Sequence, residues 1–353
     1  MQEKVLMKGN EAIAEAAILA GCRHYFGYPI TPQTEVAAYL AKKMPKIGGT
    51  FLQAESEIAA INMVYGVAST GKLAMTSSSS PGIALKCEGI SYLAGADLPA
   101  LIVNVQRGGP GLGGIQPSQS DYFLATRGPG HGYFHVLVFA PASVQEMADL
   151  TGRAFDLAMK YRMPAMLLAD GTMGQMMEPV TLPEPRDPQA APDWAAVGTE
   201  CKRSHHVINS LCLDPVQLER ANFERFERYA RIEENEPMWE EFMMEDAEIC
   251  VVSTGITARV SRNAIVEARR QGVKVGMIRP ITLWPFPKKP LLAAAGKVKS
   301  FLCVELNMGQ MREDVELAVR CQKPVELCCR VGGMIPSPDE VLDKIKKMNE
   351  EGG

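Results

Sequence analysis

The sequence contains no uninterrupted apolar run of about 18 residues, so it predicts no transmembrane helix. It contains no Cys-x-x-Cys pair, and its nine cysteines are odd in number. A disulfide framework, a zinc ribbon or a cubane iron–sulfur cluster needs thiols at pairing or ligand spacing, which argues against all three. Basic charge is not in excess: 37 Lys and Arg against 41 Asp and Glu leave a net charge of −4. Nucleic acid and anionic membrane surfaces are therefore poor partners. No Gly-x-Ser-x-Gly elbow occurs, which leaves hydrolase chemistry without a nucleophile. Free thiols together with 20 methionines suit a reducing cytoplasm.

Four stretches imitate known signals and fail on context. Lys4, Lys8 and the run ending Leu19-Ala20-Gly21-Cys22 look like a lipoprotein leader, but Glu11 and Glu15 interrupt the apolar region. A helix with Ala12, Ala16, Leu19 and Ala20 on one face accounts for it better. Gly66 to Leu73 matches a P-loop until Leu73 stands where a hydroxyl should meet magnesium. That stretch also closes a helix rather than opening one, and Gly71 reads as the helix-terminating glycine. Gly109 to Gly114 contains Gly-x-Gly-x-x-Gly, yet Ile115-Gln116-Pro117 follows it instead of a helix. Cys201, His205, His206 and Cys212 have no standard metal-ligand spacing.

Short apolar runs such as Ala100-Leu101-Ile102-Val103 alternate with helical patterns over residues 1–180. That alternation predicts an α/β fold with a parallel sheet covered by helices. A Pro-rich stretch over 178–195 ends this unit, and alternation restarts at 248. The expected organisation is a first domain over 1–190, a linking segment over 191–247, and a second, smaller doubly wound domain over 248–353. On the linking segment, Glu224/Arg228 and Glu227/Arg231 are spaced as i,i+4 ion pairs. The acidic stretch 233–248 carries Trp239, Phe242, Met243 and Met244, so it is expected to pack against something.

Three groups of residues carry chemistry. Ser77 to Ser80 lie between a predicted strand and a predicted helix, where hydroxyls either cradle a polar ligand or cap the helix. Arg107 ends a strand beside the Gly-rich loop and is placed to fork onto a carboxylate or to make a surface ion pair. Glu55 and Glu57 begin a helix. Glu57, followed by Ile58-Ala59-Ala60-Ile61, is either a desolvated general acid/base or a capping carboxylate.

Taken in order, Gly27-Tyr28-Pro29-Ile30-Thr31-Pro32, Glu55-Ser56-Glu57, Ser79-Ser80-Pro81-Gly82 and Asn104-Val105-Gln106-Arg107 resemble the α subunit of 2-oxoacid:ferredoxin oxidoreductases. Ile278-Arg279-Pro280 through Pro287 and Glu305 through Gln310 resemble that family's second domain, so the likeness spans nearly the whole chain. The nearest type is the branched-chain, 2-oxoisovalerate one, with the 2-oxoglutarate type as rival. The resemblance implies two doubly wound parallel-sheet domains, the first like a thiamine-diphosphate pyrimidine-binding domain and the second like the transketolase C-terminal domain. It implies Glu57 as the catalytic residue that activates the cofactor at its pyrimidine ring. Tyr28, Pro29, Ile30, Ser79 and Ser80 would join Glu57 around the cofactor, and Thr31 and Arg107 would contact the substrate carboxylate.

The diphosphate side of such sites carries Gly-Asp-Gly, whereas here Ala169 precedes Asp170-Gly171. The resemblance therefore implies a β subunit that supplies the diphosphate and Mg²⁺ half of the site. It also implies iron–sulfur clusters on ferredoxin-like and γ partner subunits, ferredoxin as electron acceptor, and coenzyme A as acyl acceptor, in a cytoplasmic hetero-oligomer. Two other readings stay open: a docking subunit without chemistry, and a transketolase-like fragment.

Overall fold

A computed structural model describes residues 4–351. The first half runs β1 (Val5–Lys8), α1 (Gly9–Leu19), β2 (His24–Gly27), α2 (Thr34–Lys43), β3 (Thr50–Gln53) and α3 (Glu57–Ser69). It continues with β4 (Ala74–Ser78), α4 (Ser80–Gly95), β5 (Ala100–Gln106), α5 (Tyr122–Thr126) and β6 (Leu137–Phe139). Then come α6 (Val144–Tyr161), β7 (Pro164–Asp170), α7 (Gly171–Gln175) and β8 (Met177–Val180). A long helix, α8 (Pro215–Asn235), and a short strand, β9 (Trp239–Phe242), lead to the second half. There follow β10 (Ile249–Ser253), α9 (Gly255–Arg270), β11 (Val275–Pro280), β12 (Thr282–Trp284) and α10 (Lys288–Ala295). The chain ends with β13 (Ser300–Glu305), α11 (Gln310–Ala318), β14 (Val325–Cys329) and α12 (Pro338–Glu351).

The first sheet has the order β12-β6-β7-β5-β4-β2-β3 and the second β14-β13-β10-β11-β9. All pairings within these two sheets are parallel except the edge strands β12 on β6 and β9 on β11. Strands β4, β5 and β7 are buried along their whole length; β5 and β7 carry apolar runs at Ala100–Val103 and Ala165–Ala169, whereas β4 ends in the buried hydroxyls of Thr76, Ser77 and Ser78. The α/β architecture expected from the alternation is the one observed. Strand β12 departs from the sequence reading. It lies within the stretch 248–353 but extends the first sheet beside β6. A three-residue strand carries too little periodicity to announce which sheet it joins.

The acidic stretch does pack, since β9 pairs with β11 over Trp239 to Phe242. The predicted Glu224/Arg228 pair on α8 is replaced by others. Arg228 reaches Asp97 at 2.5 Å, and Glu224 pairs with Arg220 at 2.9 Å. For Arg228 a less exposed, longer-range carboxylate wins over the i,i+4 partner, whereas Glu224 turns to the exposed arginine one turn earlier.

Buried polar groups bind the two halves. Arg279 on β11 donates to Glu146 on α6 at 2.6 and 3.0 Å and to Glu240 on β9 at 2.8 Å. Arg279 is buried while both carboxylates are partly exposed, so one guanidinium ties β9 and β11 of the second sheet to α6 of the first half. Gln119 donates to the Thr254 carbonyl at 3.0 Å and accepts from Leu306 N–H at 3.0 Å.

Among the described residues, no helix is long and apolar enough to cross a membrane. The stretch 66–73 closes α3, and Gly71 takes a left-handed φ of 74°, as a helix-terminating glycine does. The Gly-rich loop after β5 folds back on itself, with Arg107 bridging Pro117 and no helix until Tyr122. Within it Gly113 has φ 56°, and a Cβ there would stand 1.8 Å from the Gly108 carbonyl oxygen. That is turn geometry, not a dinucleotide cradle.

Candidate active site

Strand β2 is followed by β3 on one side and then, after a crossover, by β4 on its other side. The sheet therefore has a topological switch point between β2 and β4, and open α/β sheets bind ligands outside the carboxyl ends of strands at such a point. The two strands pair only through His24/Ala74 and Tyr25/Met75, although β2 runs on to Gly27 and β4 to Ser78. The ends part, and the Tyr25 ring fills the base of the gap. Its hydroxyl lies 2.8 Å from Ser77 Oγ, and a Cβ on Gly27 would meet that hydroxyl at 2.3 Å. Gly27 is thus required by close approach.

The residues singled out from sequence gather around this crevice. The loop after β2 carries Tyr28, Pro29 and Thr31 exposed and Ile30 half-buried. Ser79 and Ser80 stand where β4 turns into α4, Glu57 opens α3, and Arg107 follows β5. Arg107 Nη1 donates to the Thr31 carbonyl at 3.0 Å, tying two of these loops together. Ser80 Oγ accepts from Arg107 N–H at 3.0 Å, so the third loop is fixed to the same strand end. Glu55 is exposed, whereas Glu57 is only 7% exposed.

The alternatives left open by sequence separate here. Ser56 is the cap of α3, accepting from Ala59 N–H at 3.1 Å. Glu57 is therefore not spent on capping. Its carboxylate makes no hydrogen bond among the described residues, and a Cβ on Gly82 would lie 2.7 Å from Glu57 Oε1 and 2.2 Å from Ser78 Oγ. The serines are not caps either. Ser79 occupies the cap position of α4 without a side-chain cap bond. The buried hydroxyls of Ser78 and Ser79 have no partner among the described residues, nor has Arg107 Nε. Buried polar groups are normally satisfied, so such a cluster at a strand-end crevice leaves hydrogen-bonding capacity that a polar ligand can take up. Ser77 and Ser80 have structural partners: Ser77 Oγ donates to Gln33 Oε1 at 2.5 Å, and Ser80 holds the Arg107 main chain.

Gly82→Ala tests how tightly the carboxyl is held. The added methyl group displaces Glu57 Oε1 by close contact, and misplacement by about 1 Å costs on the order of 100-fold in rate. Turnover of the assembled enzyme is expected to fall by that order, with its melting temperature nearly kept. Unchanged turnover would mean that the carboxyl position is immaterial.

Three residues of the site carry no motif. Lys86 on α4 is fully buried and donates to the Glu57 carbonyl oxygen at 3.3 Å. Burial pulls its pKa down to about 8, against the pull of Glu57. Its signal in the sequence is a lysine in step with Ile83 and Ile90, on the face of α4 that turns inward. Gln33, fully buried, leaves Nε2 unpartnered. Asp121 accepts from Asn104 Nδ2 at 2.9 Å, and burial pushes its pKa up.

Arg107 and Asp121 also line a cavity of about 630 Å³ beside the Gly-rich loop, with Leu124, Leu306, Met308 and Val331. Arg107 is the sole cationic side chain on its wall among the described residues. Thr31 opens onto a neighbouring cavity of about 650 Å³ with Ile115 and Thr172.

Asp170 is spent on structure. It caps α7, accepting from Thr172 and Met173 N–H at 3.0 Å each, and accepts from Ile256 N–H across the sheets at 3.2 Å. Burial pushes its pKa up to about 6 despite those three donors. Among the described residues no group of three His, Cys, Asp or Glu side chains is arranged to hold a metal ion, and His206 is taken up by the Ala195 carbonyl at 3.1 Å.

The chain is similar to known proteins over nearly its whole length. Residues 15–245 match the family described as pyruvate flavodoxin/ferredoxin oxidoreductase, thiamine diphosphate-binding. Residues 247–341 match pyruvate:ferredoxin oxidoreductase core domain II. The chain is 49% identical to the ketoisovalerate oxidoreductase subunit VorB of Methanothermobacter marburgensis, over 98% of each chain. It is 36% identical to the 2-oxoglutarate synthase subunit KorA of Methanothermobacter thermautotrophicus, over 99% of this chain and 100% of that one. Its structure superposes on a 2-oxoglutarate:ferredoxin oxidoreductase from Magnetococcus marinus, solved with 2-oxoglutarate, coenzyme A and succinyl-CoA, at a TM-score of 0.86 and 29% identity. That match covers 98% of this chain and 65% of the other, so the chain spans about two thirds of it. A split-gene transketolase, at TM-score 0.60 and 12% identity, shares the fold.

Proposed function

The chain belongs to the 2-oxoacid:ferredoxin oxidoreductases, as a subunit of a thiamine-diphosphate-dependent enzyme of that family, and from this premise we propose that it is the α subunit of the branched-chain type. In this reading the enzyme converts 2-oxoisovalerate and coenzyme A to acyl-CoA and CO₂, and ferredoxin takes the electrons. The observation that carries the reading is Glu57: a buried carboxylate without a hydrogen-bond partner, facing Ser78 at a sheet switch point. The residues fit the pyrimidine half of thiamine diphosphate, because the crevice offers a free carboxyl group and two unspent hydroxyls.

When bound, thiamine diphosphate supplies a carbon nucleophile for the 2-oxo carbon and holds the electron pair left by CO₂. Glu57 holds a proton at the pyrimidine ring nitrogen. Ser79 orients the ring through its hydroxyl, and Ser80 fixes the Arg107 main chain. Tyr28, Pro29 and Ile30 wall the crevice. Arg107 directs its unspent N–H groups at the substrate carboxylate, with Thr31 beside it.

The diphosphate and Mg²⁺ fall to a β subunit, because Asp170 has its carboxylate filled by three main-chain donors. Exposed Tyr28, Leu52, Ile58, Leu112 and Ile115 ring the carboxyl-end face and fit that subunit's docking surface. Iron–sulfur clusters reside on further ferredoxin-like and γ subunits, and the assembled enzyme works in the cytoplasm. In this reading residues 1–190 form the pyrimidine-side domain and 248–353 the transketolase C-terminal-like one.

A branched aliphatic acid suits the cavity beside Arg107. Its wall is apolar at Leu124, Leu306, Met308 and Val331 and carries Asp121, not a second cation that 2-oxoglutarate would want. Anaerobic dye reduction by the native complex, with coenzyme A and each of 2-oxoisovalerate, 2-oxoglutarate and pyruvate, tests the assignment. Reduction is expected to be fastest with 2-oxoisovalerate. Preference for 2-oxoglutarate would overturn the substrate, and no reduction with any acid would overturn the enzyme reading.

A further inference from the structure

Helix α4 meets α3 through a single stripe. Gly82, Lys86 and Gly89 follow one another at one-turn spacing along it. Each meets a group on α3. A Cβ on Gly82 would strike the Glu57 carboxyl group, and one on Gly89 would lie 2.4 Å from Ile61 Cγ2. Between these two close approaches Lys86 extends its ammonium to the main-chain oxygen of Glu57.

We propose that Lys86 is a positioning residue for Glu57: its ammonium pins the first turn of α3, so that the carboxyl group stands fixed and unspent in the crevice. The proposal rests on the role assigned to Glu57 above.

The choice of partner atom is the core of the argument. A buried lysine costs more than an apolar side chain of the same length, and a packed helix pair does not need one. Stability alone does not account for it. Were Lys86 bonded to the Glu57 carboxylate, the pair would be a closed ion pair with little left for a ligand. It takes the carbonyl oxygen, which is the one hydrogen bond its ammonium makes among the described residues. Glu57 is the charged group that acts on it, and burial opposes that pull. The cation therefore steadies the turn and its carboxylate by field, while both carboxylate oxygens stay available. Gly82 supplies the matching clearance on the same stripe.

The experiment uses the full complex with Lys86→Met, which keeps the length of the stem and removes the charge and the donor. Three quantities are read: deuterium exchange at the thiazolium C2 position of bound thiamine diphosphate, kcat against KM for the 2-oxoacid, and the melting temperature. Exchange and kcat are expected to fall about tenfold or more, as a loosened catalytic group does. KM for the 2-oxoacid and the melting temperature are expected to stay. Lys86→Arg keeps a cation and should retain most of the exchange rate. Unchanged exchange in Lys86→Met, or equal loss in both variants, overturns the proposal. Glu57→Gln separates the two claims: if it exchanges normally, the role of Glu57 itself fails. If it alone is inactive, only the positioning by Lys86 fails.

Discussion

Glu57→Gln is expected to lower turnover of the assembled complex by roughly 100- to 10,000-fold, the range over which a positioned acid/base group contributes. The substitution is nearly isosteric. The α3 cap is supplied by Ser56, so the helix keeps its start. The contact with Gly82 is preserved in shape, and the Lys86 bond goes to the main chain, which the substitution leaves in place. What is lost is the exchangeable carboxyl proton. An amide still fills the space but cannot trade a proton with a ring nitrogen. Assembly with the partner subunits and KM for the 2-oxoacid should therefore survive while kcat collapses. A complex that keeps wild-type turnover despite Glu57→Gln would favour the docking-subunit reading, in which the fold is kept and the chemistry lies elsewhere.

The regular elements are legible in the sequence because their periods are clean. The buried strand β5 opens on the apolar run Ala100-Leu101-Ile102-Val103, and α6 places its apolar residues along one face. Strand β12 and the pair β1 with β8 are not legible. They are three or four residues long, and their partners lie far away in sequence. Of the site, Glu57, Ser79, Thr31 and Arg107 can be named from residue order, but their state cannot. That Ser56 and not Glu57 caps α3 depends on side-chain directions set by the turn. That Ser78 and Ser79 are left without partners depends on how β2 and β4 diverge. Lys86 escapes notice because a lysine in a helix is by default a solvated one. Only the packing of α4 on α3 turns it inward.

Arg107→Met is the second large effect. The guanidinium is held at two points, by the carbonyl oxygens of Thr31 at 3.0 Å and Leu112 at 3.2 Å. Arginine has five N–H donors, so these bonds fix its plane and leave donors over, Nε among them. With 9% exposure, it presents those donors from a largely dry wall, where a carboxylate gains most. Removing one partner of a buried charged pair costs about 2–5 kcal/mol, or roughly 30- to 5,000-fold in kcat/KM. Most of that loss should appear in KM if the carboxylate is gripped alike in the bound and reacting states. Deuterium exchange at the cofactor needs no 2-oxoacid, so it should be unaffected. Arg107→Lys should recover part of the loss, since it keeps the charge but not the planar fork. If exchange falls together with kcat/KM, Arg107 acts by bracing the loops of Thr31 and Leu112, and the substrate carboxylate must be sought on another side chain.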